Sequence, residues 1–219
     1  MSYSHTFLDG SPCAFPVGKV VCVGRNYAAH ARELGNAVPE TPILFLKPTT
    51  TLVPLSPSFS IPAGRGECHH ETEVTVLIGL TLTNANEAEC RAAIAGITLG
   101  LDLTLRDVQN VLKKNGHPWV VAKAFDGAAP LAPFMAPAAF GDLLDTTFSL
   151  TVNGELRQQG NTADMITPVL ALLQYISTIF TLLPGDVVMT GTPEGVAALH
   201  SGDVLVLTLG ALSAETVIQ

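Results

Sequence analysis

Two glutamates, Glu71 and Glu73, are separated by a single residue and come just before an apolar stretch of the sequence, residues 74–79. If this segment is a β-strand, its side-chain period of two places both carboxylates on the same face. The strand would be buried, and two buried carboxylates repel each other and lose hydration. A hard divalent cation such as Mg²⁺ or Mn²⁺ would compensate them. The alternative is an exposed strand end with solvated charges, and the spacing alone leaves both open.

A third acid, Asp102, lies inside another apolar stretch, residues 96–105. A single aspartate in a buried strand is costly unless it is paired or bound to a metal. Asp102 is therefore a candidate third oxygen ligand. The neighbouring Cys68, His69 and His70 offer zinc-type ligands, but adjacent histidines on a strand point to opposite faces, and zinc sites usually space their ligands more widely. Zinc is disfavoured.

His30 and Glu33 are spaced i, i+3 in a segment with helical pattern, residues 28–34. They would lie on one face of that helix within reach of each other. A carboxylate beside an imidazole fixes its tautomer and raises its basicity, which suits a general base. The alternative is an ordinary surface pair on an exposed helix, and the pattern alone favours that alternative.

Composition excludes several classes of partner. Charged residues make up 14% of the 219 positions, against about 25% in typical domains, so the charges present are expected to have specific roles. The net charge of −8, without a basic cluster, argues against nucleic acid and anionic membranes as partners. The apolar stretch 169–183 is too polar for a transmembrane span. No secretory signal is evident, and the four cysteines form no C-x-x-C pair, so a cytoplasmic protein with free thiols is expected.

The remaining elements predict an α+β, β-rich fold with short helices. The predicted strands are 19–23, 41–48, 71–79, 96–105, 148–152, 155–159, 187–190 and 203–209, and the predicted helices are 28–34, 84–94, one starting near 105, and one ending near 180. Asn153-Gly154 is typical of a type I′ hairpin turn. Residues 1–18 are rich in turn formers and are expected to form an irregular arm, with residues 19–219 as a single domain.

A series of motifs resembles the fumarylacetoacetate hydrolase family, in its small single-domain branch of acylpyruvate hydrolases and oxaloacetate decarboxylases or tautomerases. The resemblance covers nearly all of residues 19–209. Its motifs are Gly24-Arg-Asn-Tyr-Ala-Ala-His30, Phe45-Leu-Lys-Pro48, His69-His-Glu-Thr-Glu73, Leu101-Asp-Leu-Thr-Leu-Arg-Asp107, Pro118-Trp119 to Lys123-Ala-Phe-Asp126, and Pro184-Gly-Asp186 to Thr190-Gly-Thr-Pro-Glu-Gly-Val196.

This resemblance implies a mixed β-roll or sandwich fold, a homodimer, and Mg²⁺ or Mn²⁺ held by Glu71, Glu73 and Asp102. It also implies that His30 and Glu33 are a catalytic dyad on a short lid helix.

The resemblance further implies a set of polar groups around the substrate. Lys123 would be catalytic, and the candidates for substrate binding are Arg25, Lys47, Arg106, Gln109 and Thr192. Four of the 11 lysines and arginines fall in these motifs, which favours a small anionic 2-oxo acid as the substrate.

The expected activity is divalent-metal-dependent hydrolysis of the C–C bond of acylpyruvate-type 2,4-dioxo acids, through a metal-held pyruvate enolate. Lys123 would stabilise the oxyanion. Hydrolysis is favoured because the dyad is intact and decarboxylation needs no activated water. The alternatives at the same site are oxaloacetate decarboxylation and keto–enol tautomerisation or 2-hydroxymuconate-type isomerisation. A non-catalytic metal- or ligand-binding protein is the remote alternative.

Overall fold

The computed structural model of the protein describes residues 3–219, and strands make up most of its regular structure. The strands are β1 Val20–Val23, β2 Leu44–Lys47, β3 Leu52–Pro54, β4 Ser58–Phe59, β5 Cys68–His69, β6 Thr72–Ile78, β7 Ile94–Leu101, β8 Thr104–Leu105, β9 Ala129–Leu131, β10 Thr147–Val152, β11 Glu155–Asn161, β12 Val187–Met189, β13 Val204–Leu209 and β14 Leu212–Ile218. The α-helices are α1 Ala28–Glu33, α2 Glu87–Ala93, α3 Arg106–Lys114, α4 Val120–Lys123, α5 Pro137–Phe140 and α6 Val169–Ile179, with 3₁₀ turns at Thr49–Thr51 and Thr162–Asp164.

The strands form two main sheets of mixed direction. The seven-stranded sheet has the order β2-β1-β12-β6-β7-β9-β3, and the five-stranded sheet has the order β11-β10-β13-β14-β4. Strands β5 and β8 form a separate antiparallel pair. The pairs β1–β12, β3–β9 and β14–β4 are parallel, whereas the others are antiparallel. The α+β, β-rich fold predicted from the sequence is confirmed.

The seven-stranded sheet is buried on both faces, which explains why its central strands have continuous apolar sequences. One face joins the main core, where β10 and β13 of the second sheet contact β6 and β7. The opposite face, which includes Cys22 and Leu77, packs against residues near the N-terminus such as Phe7 and Phe15. The division into an arm of residues 1–18 and a domain of residues 19–219 stays a prediction.

Three details differ from or complete the sequence prediction. The hairpin turn is confirmed, because Asn153 and Gly154 both have positive φ, 52° and 82°. The strand predicted over residues 96–105 is wrong at its end, since β7 stops before Asp102, whose backbone N–H donates to the carbonyl of Glu71. A strand after residue 209 was not predicted, yet β14 pairs with β13 and continues its sheet.

Candidate metal centre and active site

The ends of two adjacent strands bring the three acids together. Thr72 at the start of β6 pairs with Leu101 at the end of β7. The residues just outside this pair are Glu71 and Asp102, joined by a backbone hydrogen bond of 2.8 Å. One carboxylate oxygen from each of Glu71, Glu73 and Asp102 lies within 4.8 Å of the others. All three residues are buried, so their charges need partners.

Three basic residues surround two of these carboxylates. Lys123 Nζ donates to Glu71 Oε2 at 2.6 Å and to Asp102 Oδ2 at 2.7 Å. Arg106 donates to the other oxygen of Glu71. Lys47, which is fully buried, lies with its Nζ 2.7 Å from Asp102 Oδ1 and donates to the carbonyl of Ala128. Glu71 and Asp102 therefore have cationic partners within the protein itself.

The pairing is reflected in the pKa values. Burial alone raises the pKa of Glu71, but Lys123 and Arg106 outweigh it and hold that pKa well below its usual range. Burial alone lowers the pKa of Lys123, but Asp102 and Glu71 outweigh it and raise that pKa above its ordinary value. Both groups are charged at neutral pH.

Of the three acids, Glu73 is the one that forms no ion pair within 4.0 Å in the described part of the chain. Its Oε2 accepts a hydrogen bond of 2.7 Å from the backbone N–H of Gly191. Burial, followed by the charges of Asp102 and Glu71, raises the pKa of Glu73 well above its ordinary value. In addition, Asp102 Oδ1 accepts no aligned hydrogen bond, although Lys47 lies close to it.

A divalent cation fits this arrangement. Three buried carboxylates converge, and among residues 3–219 Glu73 forms no ion pair within 4.0 Å. An all-oxygen donor set suits hard cations, and Mg²⁺ and Mn²⁺ both match it.

The predicted dyad is present as a contact on helix α1. His30 is buried, and its Nδ1 lies 3.1 Å from Glu33 Oε2. The other carboxylate oxygen of Glu33 accepts from the backbone N–H of Gly195 at 2.9 Å. With Nδ1 directed to a carboxylate, the basic nitrogen of His30 is Nε2.

A single loop, residues 190–196, supports both the acids and the dyad. The backbone N–H of Gly191 donates to Glu73, and that of Gly195 donates to Glu33, as described above. Gly195 has φ of +93°, and a Cβ at this position would lie 2.1 Å from the carbonyl oxygen of Arg157. Only glycine fits there without displacing the loop.

A pocket beside the three clustered acids contains most of the predicted site residues. Its polar and aromatic lining comprises Arg25, His30, Asn36, Glu71, Arg106, Gln109, Lys113, Trp119 and Lys123. Arg106 Nη1 donates to Gln109 Oε1 at 2.8 Å, so these two residues share a helix face as their spacing predicts.

Two of the predicted substrate-binding residues do not line this pocket. Lys47 lies behind Asp102, as its contacts show. Thr192 is buried, and its hydroxyl donates to the carbonyl of Thr72 at 2.9 Å and accepts from Gln158 Nε2 at 2.8 Å. Their substrate contacts stay a prediction, and the structure places both as supports around the acids.

Lys113 lines the pocket but was not among the predicted site residues. The signal was available in the helical spacing: Lys113 follows Gln109 by four residues and Arg106 by seven, which places all three on one face of α3.

Fold and site together define a β-rich scaffold in which three buried carboxylates that could hold a metal ion lie near a histidine–glutamate pair. The profile of the fumarylacetoacetate (FAA) hydrolase C-terminal family matches residues 19–217. The chain belongs to this family, as the sequence motifs predicted.

Three relatives illustrate the range of activities in the family. The chain is 54% identical over 215 residues to the oxaloacetate tautomerase YcgM of Escherichia coli, with 98% of each chain covered. It superposes on the fumarylpyruvate hydrolase of Pseudomonas aeruginosa, solved with Mn²⁺ and pyruvate, with a TM-score of 0.92, 36% identity and coverage of 99% of this chain and 95% of that one. It superposes on 5-carboxymethyl-2-hydroxymuconate delta-isomerase of Mycobacterium smegmatis with a TM-score of 0.81, 35% identity and coverage of 93% and 79%.

These relatives are enzymes, and the names of the first two refer to 2-oxo acid substrates. None of the helices within residues 3–219 is long and apolar enough to cross a membrane.

Proposed function

We propose that the protein is a divalent-metal-dependent enzyme of small 2-oxo acids, and that its reaction is the keto–enol tautomerisation of oxaloacetate. The observation that carries this proposal is the 54% identity to an oxaloacetate tautomerase over 98% of both chains. The pocket supports it, because it combines the imidazole of His30 with the buried cationic side chains of Arg106 and Lys123.

Glu71, Glu73 and Asp102 would hold the metal ion. When bound, Mg²⁺ or Mn²⁺ supplies Lewis acidity toward the oxygens of the 2-oxo acid. Lys123, hydrogen-bonded to two of the three acids, would provide a fixed positive charge beside the oxygen on which negative charge develops.

His30 would carry the proton. In the direction from enol to ketone, Nε2 would accept the proton of the enol hydroxyl, the O–H electron pair would form the C=O bond, and the C2=C3 electron pair would take a proton at C3 from the imidazolium Nε2–H. One proton leaves the hydroxyl and one arrives at C3, so the imidazole ends neutral. Glu33 would keep Nδ1 protonated and the ring oriented, and the Gly195 amide would hold Glu33 in place.

Hydrolysis of acylpyruvates, the activity favoured by the sequence, is the second candidate. It is supported by the similarity to a fumarylpyruvate hydrolase over 99% of this chain. The same dyad could activate a water molecule instead of transferring a proton to carbon. Oxaloacetate decarboxylation and muconate isomerisation remain alternatives at this site.

We also propose a cytoplasmic homodimer. An apolar groove next to the sheet-edge strand β2 supports an interface, with Leu44, Phe45, Trp119 and Phe180 in its lining. Leu46 and Val120 also line this groove, and they are 40% and 62% exposed. Light scattering during size-exclusion chromatography tests the dimer, and a monomeric mass would contradict it.

The function is tested by following the ultraviolet absorbance of enol-oxaloacetate with Mg²⁺ and then with a chelator, while ¹H NMR monitors cleavage of acetylpyruvate. We expect chelator-sensitive loss of the enol without pyruvate formation. His30→Gln should abolish it, and Arg32→Gln, on the exposed side of the same helix, should not. Chelator-sensitive acetate and pyruvate from acetylpyruvate, with no effect on the enol, would instead establish the hydrolase. No effect on either compound would contradict both.

A further inference from the structure

A buried glutamine, Gln158, connects the chain at the three acids to the loop of residues 190–196. It lies on β11, where the side chains on either side of it, Arg157 and Gln159, are exposed, yet Gln158 itself is only 1% exposed. A buried amide is costly unless its N–H groups and its oxygen are hydrogen-bonded. The partners of Gln158 therefore show what this strand contributes to the site.

All four hydrogen-bonding positions of the Gln158 amide are used. Its Oε1 accepts from the backbone N–H of Thr72 at 3.0 Å and lies 2.9 Å from Nδ1 of His70. Its Nε2 donates to Thr192 Oγ1 at 2.8 Å and to the carbonyl of Pro193 at 3.0 Å. The reverse orientation of the amide is excluded, because it would place NH₂ against the N–H of Thr72 and oxygen against the carbonyl of Pro193.

The two ends of this amide bind two parts of the candidate metal centre. The Oε1 end binds Thr72, the residue between Glu71 and Glu73 in the sequence. The Nε2 end binds Thr192, the residue after Gly191, whose N–H donates to Glu73. The hydroxyl of Thr192 donates in turn to the carbonyl of Thr72 at 2.9 Å, which closes a ring of hydrogen bonds.

The same side chain supports the part of the loop that contacts the dyad. The loop begins at Thr190, whose backbone N–H donates to the carbonyl of Val74. Further along, a Cβ on Gly195 would lie 3.5 Å from Cγ of Gln158, so the Gly195 backbone packs on this side chain. Because the N–H of Gly195 donates to Glu33, a displacement at Gln158 would reach the dyad as well as the acids.

We propose that Gln158 is a positioning residue, which fixes the amides of the loop 190–196 relative to the three acids. This inference rests on the proposed function, in which Glu73 binds the metal ion and Glu33 orients His30. The Gln158 amide sets the position of both carboxylates through the loop. Its own hydrogen-bonding groups are all engaged within the protein, so it acts without contacting substrate or metal.

The test changes the two sides of this connection separately. Gln158→Met replaces the amide with an apolar side chain of similar length, and Thr192→Val removes only the hydroxyl on the loop. Thr216→Val is the matched control, because Thr216 is also buried and its hydroxyl also donates to a backbone carbonyl, that of Leu55, in the second sheet. Gln159→Met is the control on the exposed face of β11.

Each variant is measured at a temperature where circular dichroism shows it to be folded. Calorimetric titration with Mn²⁺ gives metal affinity, and the enol-oxaloacetate assay at saturating Mg²⁺ gives kcat and KM. For Gln158→Met we expect Mn²⁺ binding to weaken about tenfold and kcat to fall about tenfold, while KM changes less than about threefold. Thr192→Val should change both in the same direction, and the two control variants should change neither.

A purely structural role would lower the unfolding temperature of Gln158→Met and Thr192→Val but leave the Mn²⁺ affinity and kcat of the folded protein unchanged. That result, or an equal loss in Thr216→Val, would overturn the inference. If Gln158→Met does not fold, Thr192→Val decides in the same way. If the variants weaken Mn²⁺ binding but the wild-type protein does not act on oxaloacetate, the proposed function fails and this inference stands. A wild-type protein that binds no Mn²⁺ would overturn both.

Discussion

The backbone amide of Gly195 donates a 2.9 Å hydrogen bond to Oε1 of Glu33, across 162 residues of sequence. The backbone N–H of Gly191, in the same loop, donates a hydrogen bond to Oε2 of Glu73. The proposed base and the proposed metal ligand therefore share one backbone support, and a shift of this loop would disturb both. The backbone of this loop, rather than a side chain, therefore connects the proposed dyad to the proposed metal site.

Gly195→Ala should lower the turnover number at least tenfold. A Cβ there would lie 2.1 Å from the carbonyl oxygen of Arg157, so the loop must move and the amide must leave Glu33. Steady-state kinetics and thermal unfolding measure the effect. Gly202→Ala is the matched control, because Gly202 has φ of +92° but nothing within 4 Å of the added Cβ. Equal activity losses in both variants would contradict a specific role for the Gly195 contact.

Glu73→Gln should abolish metal-dependent turnover and weaken Mn²⁺ binding by more than about tenfold in calorimetric titration, because a charged oxygen ligand is lost. The variant should stay folded. Burial and the neighbouring carboxylates raise the pKa of Glu73, so its negative charge destabilises the metal-free fold. In the presence of a chelator, Glu73→Gln should therefore unfold at a temperature no lower than that of the wild type. Glu67 is exposed and lies outside the acid cluster, so Glu67→Gln is the control variant. Full activity in Glu73→Gln would remove this residue from the metal site.

Glu71 should make the protein sensitive to acid. Its pKa is lowered on folding by Lys123 and Arg106, which outweigh burial. A group of this kind stabilises the fold above its unfolded pKa of about 4.3, and that contribution is lost as the pH falls toward the folded pKa. Urea unfolding between about pH 6 and 3 should show a falling free energy of unfolding in the wild type, with a shallower fall in Glu71→Gln. Parallel profiles would contradict the assignment.

Lys47→Met should destabilise the protein by about 1.5–3 kcal/mol, because it removes the cation beside Oδ1 of Asp102 and leaves that buried carboxylate paired with Lys123 alone. Chemical denaturation measures the loss, and Lys114→Met on an exposed helix end is the control. If Lys47 instead contacts substrate and has little structural role, the free energy of unfolding would be unchanged while KM rises.

The local spacing predicted much of the site. The period of two relating Glu71 to Glu73 and the i, i+3 pair His30/Glu33 each became a short-range arrangement in the structure, whereas Asp102 reaches the other acids through the pairing of β6 with β7. These signals work because both partners lie within one strand or one helical turn, where geometry is fixed by the backbone.

The supports of the site could not be predicted in this way. The contacts of Gly191 and Gly195 join residues more than 100 positions apart, and no local period encodes them. Lys47 ends an edge strand in the sequence pattern, yet the fold turns it into the buried partner of Asp102. Lys113 was missed because its place in the pocket lining depends on what faces helix α3 across the pocket.

The most direct test of the account is the exchange of the C3 protons of oxaloacetate in D₂O, followed by ¹H NMR with Mg²⁺. Proton transfer through His30 predicts rapid loss of the C3 signal with wild-type protein, no acceleration after chelation, and at least a hundredfold slower exchange with His30→Gln. Exchange that is equally fast in His30→Gln, or that persists undiminished with chelator, would contradict the central claim that the dyad and the carboxylate metal centre act together.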